Sequence, residues 1–181
     1  MKHITFFVFI FLSSFSLAQT LHKNIEALKT ERNPIIDGVI EPNLWLNAPK
    51  AKNWTQVEPK NGEIERSNQK SEVQFMYDDR ALYIAAMFYD TRPDSIYTEL
   101  GLRDEENKNC DWFGVWISPY NDAQNEFMFG VTAAGVQLDS RSTIDGSDKN
   151  WDAVWNSAVQ IHEKGWSVEI EIPYSALRIP N

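Results

Sequence analysis

The chain has 181 residues and a formal net charge of −9, from 26 acidic and 17 basic side chains. An acidic chain without a basic run argues against nucleic acid or an anionic membrane surface as its partner. Cys110 is the single cysteine, which excludes an internal disulfide, and we interpret it as a small half-buried apolar residue. The length suits one domain with its own core.

Residues 1–18 predict a signal peptide for export. A short polar start precedes an almost wholly apolar run at residues 4–15, and Ser16 and Ala18 are the small residues that a signal peptidase reads. Cleavage would leave Gln19 as the first residue. The apolar run is shorter than the roughly 20 residues of a transmembrane helix. No cysteine stands directly after it, at the cleavage site, where a lipid would be attached. We therefore expect the protein in the periplasm, at the outer membrane or outside the cell.

The first mature stretch, residues 19–33, is a polar lead-in with one short strand predicted at residues 25–28. We expect residues 34–38 to form a second short strand that enters a turn. Residues 41–46 are expected to form one helical turn, and this turn would present Trp45 to the core.

After an exposed loop at residues 58–70, apolar and polar side chains alternate with a period of two, which predicts antiparallel strands with one buried face. Three hairpins carry this pattern. Their inward positions are Val73, Phe75, Tyr77, Leu82, Ile84, Ala86 and Phe88 in the first, Phe113, Val115, Ile117, Phe127, Phe129 and Val131 in the second, and Trp166, Val168, Ile170 and Ile172, preceded by a strand at residues 158–162, in the third. A helical turn is predicted at residues 174–177. Many strands without a long helical pattern predict an all-β fold, an antiparallel β-sandwich of jelly-roll type.

Several segments stand in a recognisable order and spacing. They are residues 35–38 followed by Trp45, residues 72–79, 82–86 and 165–173, with residues 111–117 as a central strand. Together they resemble carbohydrate-binding module family 9, most strongly a bacterial branch in which the module precedes a large C-terminal region associated with the outer membrane. The resemblance implies a carbohydrate-binding sandwich over residues 34–181 whose partner is a polysaccharide or oligosaccharide. It also implies further strands beyond Asn181, so the chain is expected to be a fragment that lacks its last strands.

The sugar-binding residues of that family do not carry over to this sequence. The resemblance places a tryptophan near Lys108, a glutamate at Gly114, an arginine at Gly130 and an asparagine at Thr132, and a second tryptophan beyond the end of the chain. Sugar binding would therefore rest on other aromatic residues.

Two pairs of tryptophans are the candidate sugar-binding residues, because the apolar C–H face of a pyranose stacks on an aromatic ring. Trp112 and Trp116 share one strand face about 13 Å apart, with room for a sugar ring over Gly114 between them. We nevertheless favour burial in the core for this pair. Trp151 and Trp155 lie in a polar stretch, where at least one is expected to be exposed, and they are the preferred candidates. Packing of that stretch onto the sandwich is the equal alternative.

One oxygen-rich loop contains possible calcium ligands. Asp145, Asp148 and Asn150 supply the oxygen atoms that calcium prefers. Their spacing does not match an EF-hand loop, so a solvated acidic loop is the simpler interpretation.

We expect no catalysis. Asp111 with Asp139 or Glu126 could form the acid and base of a glycosidase, but nothing in the sequence sets the distance between them. His22 and His162 have no Ser or Cys partner in a recognisable arrangement.

A haem-binding sandwich domain is a further alternative. Met76, Met87, Met128 and His162 lie on predicted strands and could serve as axial ligands, although gap-filling roles are favoured. The C-x-x-C-H attachment motif is absent from the sequence.

The leading hypothesis is an exported, non-catalytic carbohydrate-binding module that serves polysaccharide breakdown. The alternative is a periplasmic structural or interaction module of a larger outer-membrane protein, without affinity for sugar.

Overall fold

The computed structural model describes residues 23–105, 109–122 and 124–177. The predicted signal peptide and Lys108 lie outside these residues. In chain order the elements are β1 (Leu28–Lys29), α1 (Pro42–Trp45), β2 (Lys50–Ala51), β3 (Ser71–Tyr77), β4 (Ala81–Tyr89), a 3-10 turn (Pro93–Ser95), β5 (Trp112–Ile117), β6 (Glu126–Thr132), β7 (Gln137–Thr143), β8 (Gly146–Asp148), β9 (Asn156–His162) and β10 (Gly165–Pro173). No helix in this described part is long and apolar enough to span a membrane.

Ten strands form two stacked sheets, which confirms the predicted β-sandwich. The larger sheet has six strands in the order β1-β3-β4-β10-β9, with β2 also paired to β3. The smaller sheet has four strands in the order β5-β6-β7-β8. All neighbouring strands within the two sheets pair antiparallel, except β1 and β3, which are parallel.

The three predicted hairpins are confirmed. They are β3–β4, β5–β6 and β9–β10, and the first and third join through β4 and β10, which pair from Gly165 opposite Tyr89 to Pro173 opposite Ala81. The turn predicted at residues 174–177 is also present, since the N–H of Ala176 donates to the carbonyl of Pro173.

The main core lies between the two sheets. Phe127, Phe129 and Val131 from the smaller sheet pack against residues of the larger sheet such as Ile84 and Val168, all of them buried. Rings also cross the interface, because the centroid of Phe88 lies 5.3 Å from that of Phe113 and 4.6 Å from that of Trp166. The residues of this core are the inward-facing residues that the period-two pattern predicts.

A second core covers the opposite face of the larger sheet, so the β3–β4 hairpin has two buried faces and the prediction of one was wrong. Residues 34–49, which we call the cover segment, lie on this outer face. Its α1 turn buries Trp45 as predicted, together with Ala48, against Met76 and Tyr83. The side-chain amide of Gln74 fastens the end of the turn by donating to the carbonyls of Trp45 and Ala48, at 2.8 and 2.7 Å.

The short strand predicted at residues 34–38 does not form. Its backbone N–H groups at Asp37 and Gly38 donate to the carboxylate of Glu169 on β10, at 3.3 and 3.1 Å, and are therefore not available to a neighbouring strand. The strand predicted at residues 25–28 is shifted, because β1 comprises Leu28–Lys29.

Strands β7 and β8 were not predicted. Residues 137–143 are mostly polar, yet they pair with β6 over six residues and form the third strand of the smaller sheet. Their inward side chains include Gln137 and Asp139, which are accommodated by hydrogen bonds rather than by apolar packing.

Candidate functional site

The outer face of the four-stranded sheet carries two exposed tryptophans. Trp112 and Trp116 are 48 % and 55 % exposed, because Phe113 and Val115 between them point into the main core and alternation sends the tryptophans outward. The interpretation of this pair as core residues is therefore wrong.

The two indoles contact each other across a glycine. Their ring centroids lie 6.1 Å apart at an interplanar angle of 68°, an edge-to-face arrangement. A Cβ atom on Gly114 would lie 2.6 Å from Cζ3 of Trp112, so the Trp112 ring itself occupies the space over this residue. The expected gap for a sugar ring over Gly114 is absent, and the pair forms one continuous aromatic ridge.

The strands next to β5 present small or apolar positions beside the ridge. Gly130 lies opposite Gly114 in register, and Leu138 lies opposite Gly130 on the next strand. Thr132, opposite Trp112, is 3 % exposed, and its hydroxyl accepts a hydrogen bond of 3.1 Å from the N–H of Val136. Polar residues, among them Gln69 and Asp111, line a recess next to Trp112.

The second pair of tryptophans lies against the core. Trp155 is 5 % exposed, and its Nε1 donates to Oδ2 of Asp139 at 2.9 Å. The half-buried Trp151 contacts Phe127 and Phe129, with centroids 5.0 and 6.0 Å apart. This stretch therefore packs onto the sandwich, which was the alternative considered from the sequence. The buried ring of Trp155 presents no free face on which a sugar could stack.

A charged network fixes the stretch that contains these two residues. Arg103 donates to the buried carboxylate of Asp139 and to the carbonyl of Ala153, and it pairs with Asp152 at 3.2 Å. Burial raises the pKa of Asp139, while the hydrogen bond from Trp155 and the charge of Arg103 oppose that rise. The network is a structural support beneath the smaller sheet.

A family model for the carbohydrate family 9 binding domain-like proteins matches residues 36–181. The chain belongs to this family. The resemblance drawn from the sequence motifs is thereby confirmed. No curated protein matches this sequence.

Solved structures of low sequence identity share the family 9 fold. A carbohydrate binding module family 9 from Caldicellulosiruptor kristjanssonii, in complex with glucose, aligns with a TM-score of 0.54 and 14 % identity over 82 % of this chain and 69 % of that one. Its complex with cellotriose gives a TM-score of 0.55 and 16 % identity, over 83 % and 67 % of the two chains. A proposed carbohydrate-binding protein from Bacteroides uniformis gives 0.63 and 12 %, over 87 % and 75 %.

The positions that the family resemblance assigns to sugar contacts fall on the face with the aromatic ridge. Gly114 and Gly130 are direct neighbours there, and Trp112 stands beside them. The strand alternation of residues 112–117 was the signal in the sequence. It did not show which of the two sheets is covered on its outside, so the exposure of Trp112 and Trp116 was not predicted.

The candidate calcium ligands lie around the β7–β8 hairpin. Asp145 is in its turn, and Asp148 ends β8 and accepts a hydrogen bond of 3.0 Å from the N–H of Asn150. Across the described ranges, no group of three or more Asp, Glu, His or Cys side chains could hold a metal ion. Calcium binding here stays a prediction.

The carboxylates considered for catalysis are not arranged as a pair. Asp111 precedes β5 and its carbonyl accepts from the N–H of Ala133, whereas Glu126 begins β6 at the opposite end. Seven residues of strand separate those ends by about 20 Å, beyond the spacing of a glycosidase pair. Both oxygens of Asp139 are occupied by the network of Arg103, Trp155 and Ala153.

Of the residues considered as haem ligands, Met76 and Met128 lie apart from the other two. Met76 is 1 % exposed in the second core, and Met128 lies on the outer face of the smaller sheet, opposite Trp116. Met87 and His162 line a groove on the larger sheet. Haem binding has no further support from this arrangement.

Proposed function

We propose that this chain binds a neutral glycan on the outer face of the four-stranded sheet, through Trp112 and Trp116. The observation that carries the proposal is the exposure of both indoles on a face that no other layer of the described residues covers, beside Gly114 and Gly130, the positions assigned to sugar contacts. Family membership supports it, as do the relatives that hold glucose and cellotriose.

Stacking would supply most of the affinity. The rings of Trp112 and Trp116 meet at 68°, so a pyranose can stack its apolar C–H face on one ring and contact the edge of the other. Gly114 and Gly130 provide no side-chain hydrogen bonds, so discrimination between sugar epimers should be weak.

The proposed role is non-catalytic and extracytoplasmic. The carboxylates that could serve a glycosidase lie apart or are occupied by structural hydrogen bonds, as at Asp139. The signal sequence at residues 1–18 supports export. Within a polysaccharide-degrading system, the module would hold the polymer near an enzyme or a transporter.

Tryptophan fluorescence titrated with cellotriose, xylan and cellulose tests the proposal. Wild-type protein should show a saturable change, and Trp112→Ala and Trp116→Ala should each weaken binding about tenfold or more. Trp54→Ala is the matched control, because Trp54 is 41 % exposed and lies outside both sheets. Binding that survives in both ridge variants would overturn the assignment of the site.

A second candidate function is a structural or interaction module of a larger outer-membrane protein without affinity for sugar. The lack of polar side chains at Gly114 and Gly130 favours it. Under this alternative no glycan changes the fluorescence of the wild type, and the DNA after the codon for Asn181 continues into a region of alternating strands typical of a barrel. Saturable glycan binding by the wild type would reject it.

A further inference from the structure

A groove of about 630 Å³ lies on the outer face of the six-stranded sheet, beside the cover segment. This face is on the opposite side of the sandwich from the tryptophan ridge. Its volume falls in the range of pockets that hold one small molecule. The groove is therefore separate from the proposed glycan site, and it is concave whereas that site is a ridge.

Strand register explains the shape of the groove. One row across the sheet runs from His162 through Gly165 to Tyr89, and the next runs from Gln160 through Ser167 to Met87. Ser167 is small and lies in the floor, while the larger side chains of Gln160 and Met87 line the groove on either side of it. The cover segment closes one end with Val39, Ile40 and Leu46.

Gly165 lies between two lining residues of the groove, His162 and Tyr89, in the strand register. A Cβ atom at this position would lie 1.9 Å from the carbonyl oxygen of Phe88, and the residue has a φ of 131°. Only glycine fits here without displacement of β4. Gly165 therefore keeps β10 close to β4 and holds the row from His162 to Tyr89 in register.

The polar side of the groove presents hydrogen-bond donors without partners. The Nδ1 atom of His162 accepts a hydrogen bond of 3.3 Å from the N–H of Lys164, which leaves Nε2 to act as a donor. Within the described ranges, the side chains of Lys164 and Gln160 have no hydrogen-bond or ion-pair partner. The acidic residue of the groove, Glu72, is paired with Lys50 at 2.7 Å.

The balance of charge points to an anionic ligand. The lining contains two lysines and one glutamate, whereas the whole chain has a net charge of −9. A long polyanion is disfavoured by the field of an acidic protein, but a compact ligand with one carboxylate meets only the local donors. The Tyr89 ring and Met87 offer an apolar contact to the remainder of such a ligand.

We infer that this groove binds a sugar acid, a pyranose that carries a carboxylate. The carboxylate binds Lys164 and Nε2 of His162, and a hydroxyl group of the sugar binds the side chain of Gln160. The C–H face of the ring packs against Tyr89. The inference does not rest on the proposed glycan site, which uses the other sheet.

Titration of isotope-labelled protein, followed by amide NMR, tests this site. Sodium glucuronate should shift the amides of Gly165 and Ser167 and leave those of Gly114 and Gly130 unchanged. Shifts of the same amides by a glucuronate-terminated oligosaccharide would assign the site to the end of a polymer, whereas shifts by sodium glucuronate alone would assign it to a free sugar acid. Glucose is the control for the sugar ring alone, and acetate is the control for the carboxylate alone. Each should bind at least about tenfold more weakly than glucuronate.

Substitutions separate the groove from the tryptophan ridge. Lys164→Gln should weaken glucuronate binding about tenfold, while Lys60→Gln, on a remote exposed loop, should leave it unchanged. Trp112→Ala should weaken neutral glycan binding about tenfold or more and preserve glucuronate binding. Equal affinity for acetate and glucuronate, or shifts confined to Gly114 and Gly130, would overturn the inference.

Discussion

The indole Nε1 of Trp155 donates a hydrogen bond of 2.9 Å to the Asp139 carboxylate inside the sandwich. The same carboxylate accepts from the N–H of Ala153 at 3.1 Å and from the guanidinium of Arg103. One acidic residue on β7 thereby orders the stretch that leads into β9. This contact converts a tryptophan in a polar sequence into part of the core.

Asp139→Asn should destabilise the protein by about 2 kcal/mol at neutral pH, because the buried carboxylate makes charge-assisted hydrogen bonds that an amide replaces poorly. Urea unfolding measures the effect. Asp152→Asn is the control, since Asp152 also pairs with Arg103 but its side chain is 71 % exposed, and its loss should cost under about 1 kcal/mol. Equal losses in both variants would show that the buried network contributes no more than a surface ion pair.

The stability of the protein should fall as the pH rises from about 5 to 8, because of Glu169. This residue is 1 % exposed, and burial raises its pKa from 4.5 to about 7, against the hydrogen bonds from the N–H groups of Asp37 and Gly38. The folded state holds the proton more tightly than the unfolded state between these two values, so its contribution is complete below pH 4.5 and is lost as the pH rises through 7. The expected loss is on the order of 3 kcal/mol.

Glu169→Gln should flatten that dependence, because the amide oxygen still accepts from Gly38 and no proton is released. Thermal unfolding recorded across this pH range gives the comparison. Glu171→Gln, two residues further along the same face of β10, should keep the slope of the wild type. A wild-type slope that persists in Glu169→Gln would contradict the assignment.

Gly114→Ala should disturb the tryptophan ridge while sparing the fold. The added methyl group would lie 2.6 Å from Cζ3 of Trp112, and this exposed ring can rotate away at small cost. We expect the near-ultraviolet circular dichroism of the coupled indoles to fall and glycan binding to weaken, with unfolding changed by under about 1 kcal/mol. Gly130→Ala is the control, because its methyl group would meet Sδ of Met128 at 3.3 Å and not Trp112. Unaltered near-ultraviolet dichroism in Gly114→Ala would contradict the position of the Trp112 ring over Gly114.

Gly165→Ala should cost far more stability than Gly146→Ala. Both residues have a strongly positive φ, 131° and 128°, so the backbone strain of alanine is similar. A Cβ at Gly165 also meets the carbonyl of Phe88 at 1.9 Å, whereas nothing lies within 4 Å at Gly146. We expect about 1 kcal/mol at Gly146 and at least about 2 kcal/mol more at Gly165, or failure to fold. Similar losses of unfolding free energy in the two variants would mean that the backbone of β4 shifts away from the methyl group at little cost.

The sequence predicted the hairpins whose apolar residues alternate, and it missed the strand that does not alternate. Val73, Ile84 and Phe129 follow the period of two because they fill the space between the sheets. In β7 the inward positions hold Gln137 and Asp139, which are stabilised by partners distant in sequence, among them Arg103 and Trp155. No local pattern encodes such partners.

The candidate site was only partly predictable for a related reason. Alternation assigned Trp112 and Trp116 correctly to one face, but exposure depends on whether another layer lies on that face. The cover segment lies on the larger sheet and buries Tyr83, and in the part of the chain that the structure describes the smaller sheet has no such layer over Trp116. Which sheet receives the layer is a property of the tertiary fold.

The attachment of the cover segment also sets an order of events during synthesis. Its anchors are Glu169, which binds the N–H of Gly38, and Ser167, whose hydroxyl donates to the carbonyl of Gly38 at 2.6 Å. Both anchors are translated about 130 residues after the segment that they hold. The cover segment therefore has to wait, unanchored, until β10 leaves the ribosome, and only then can the two segments join.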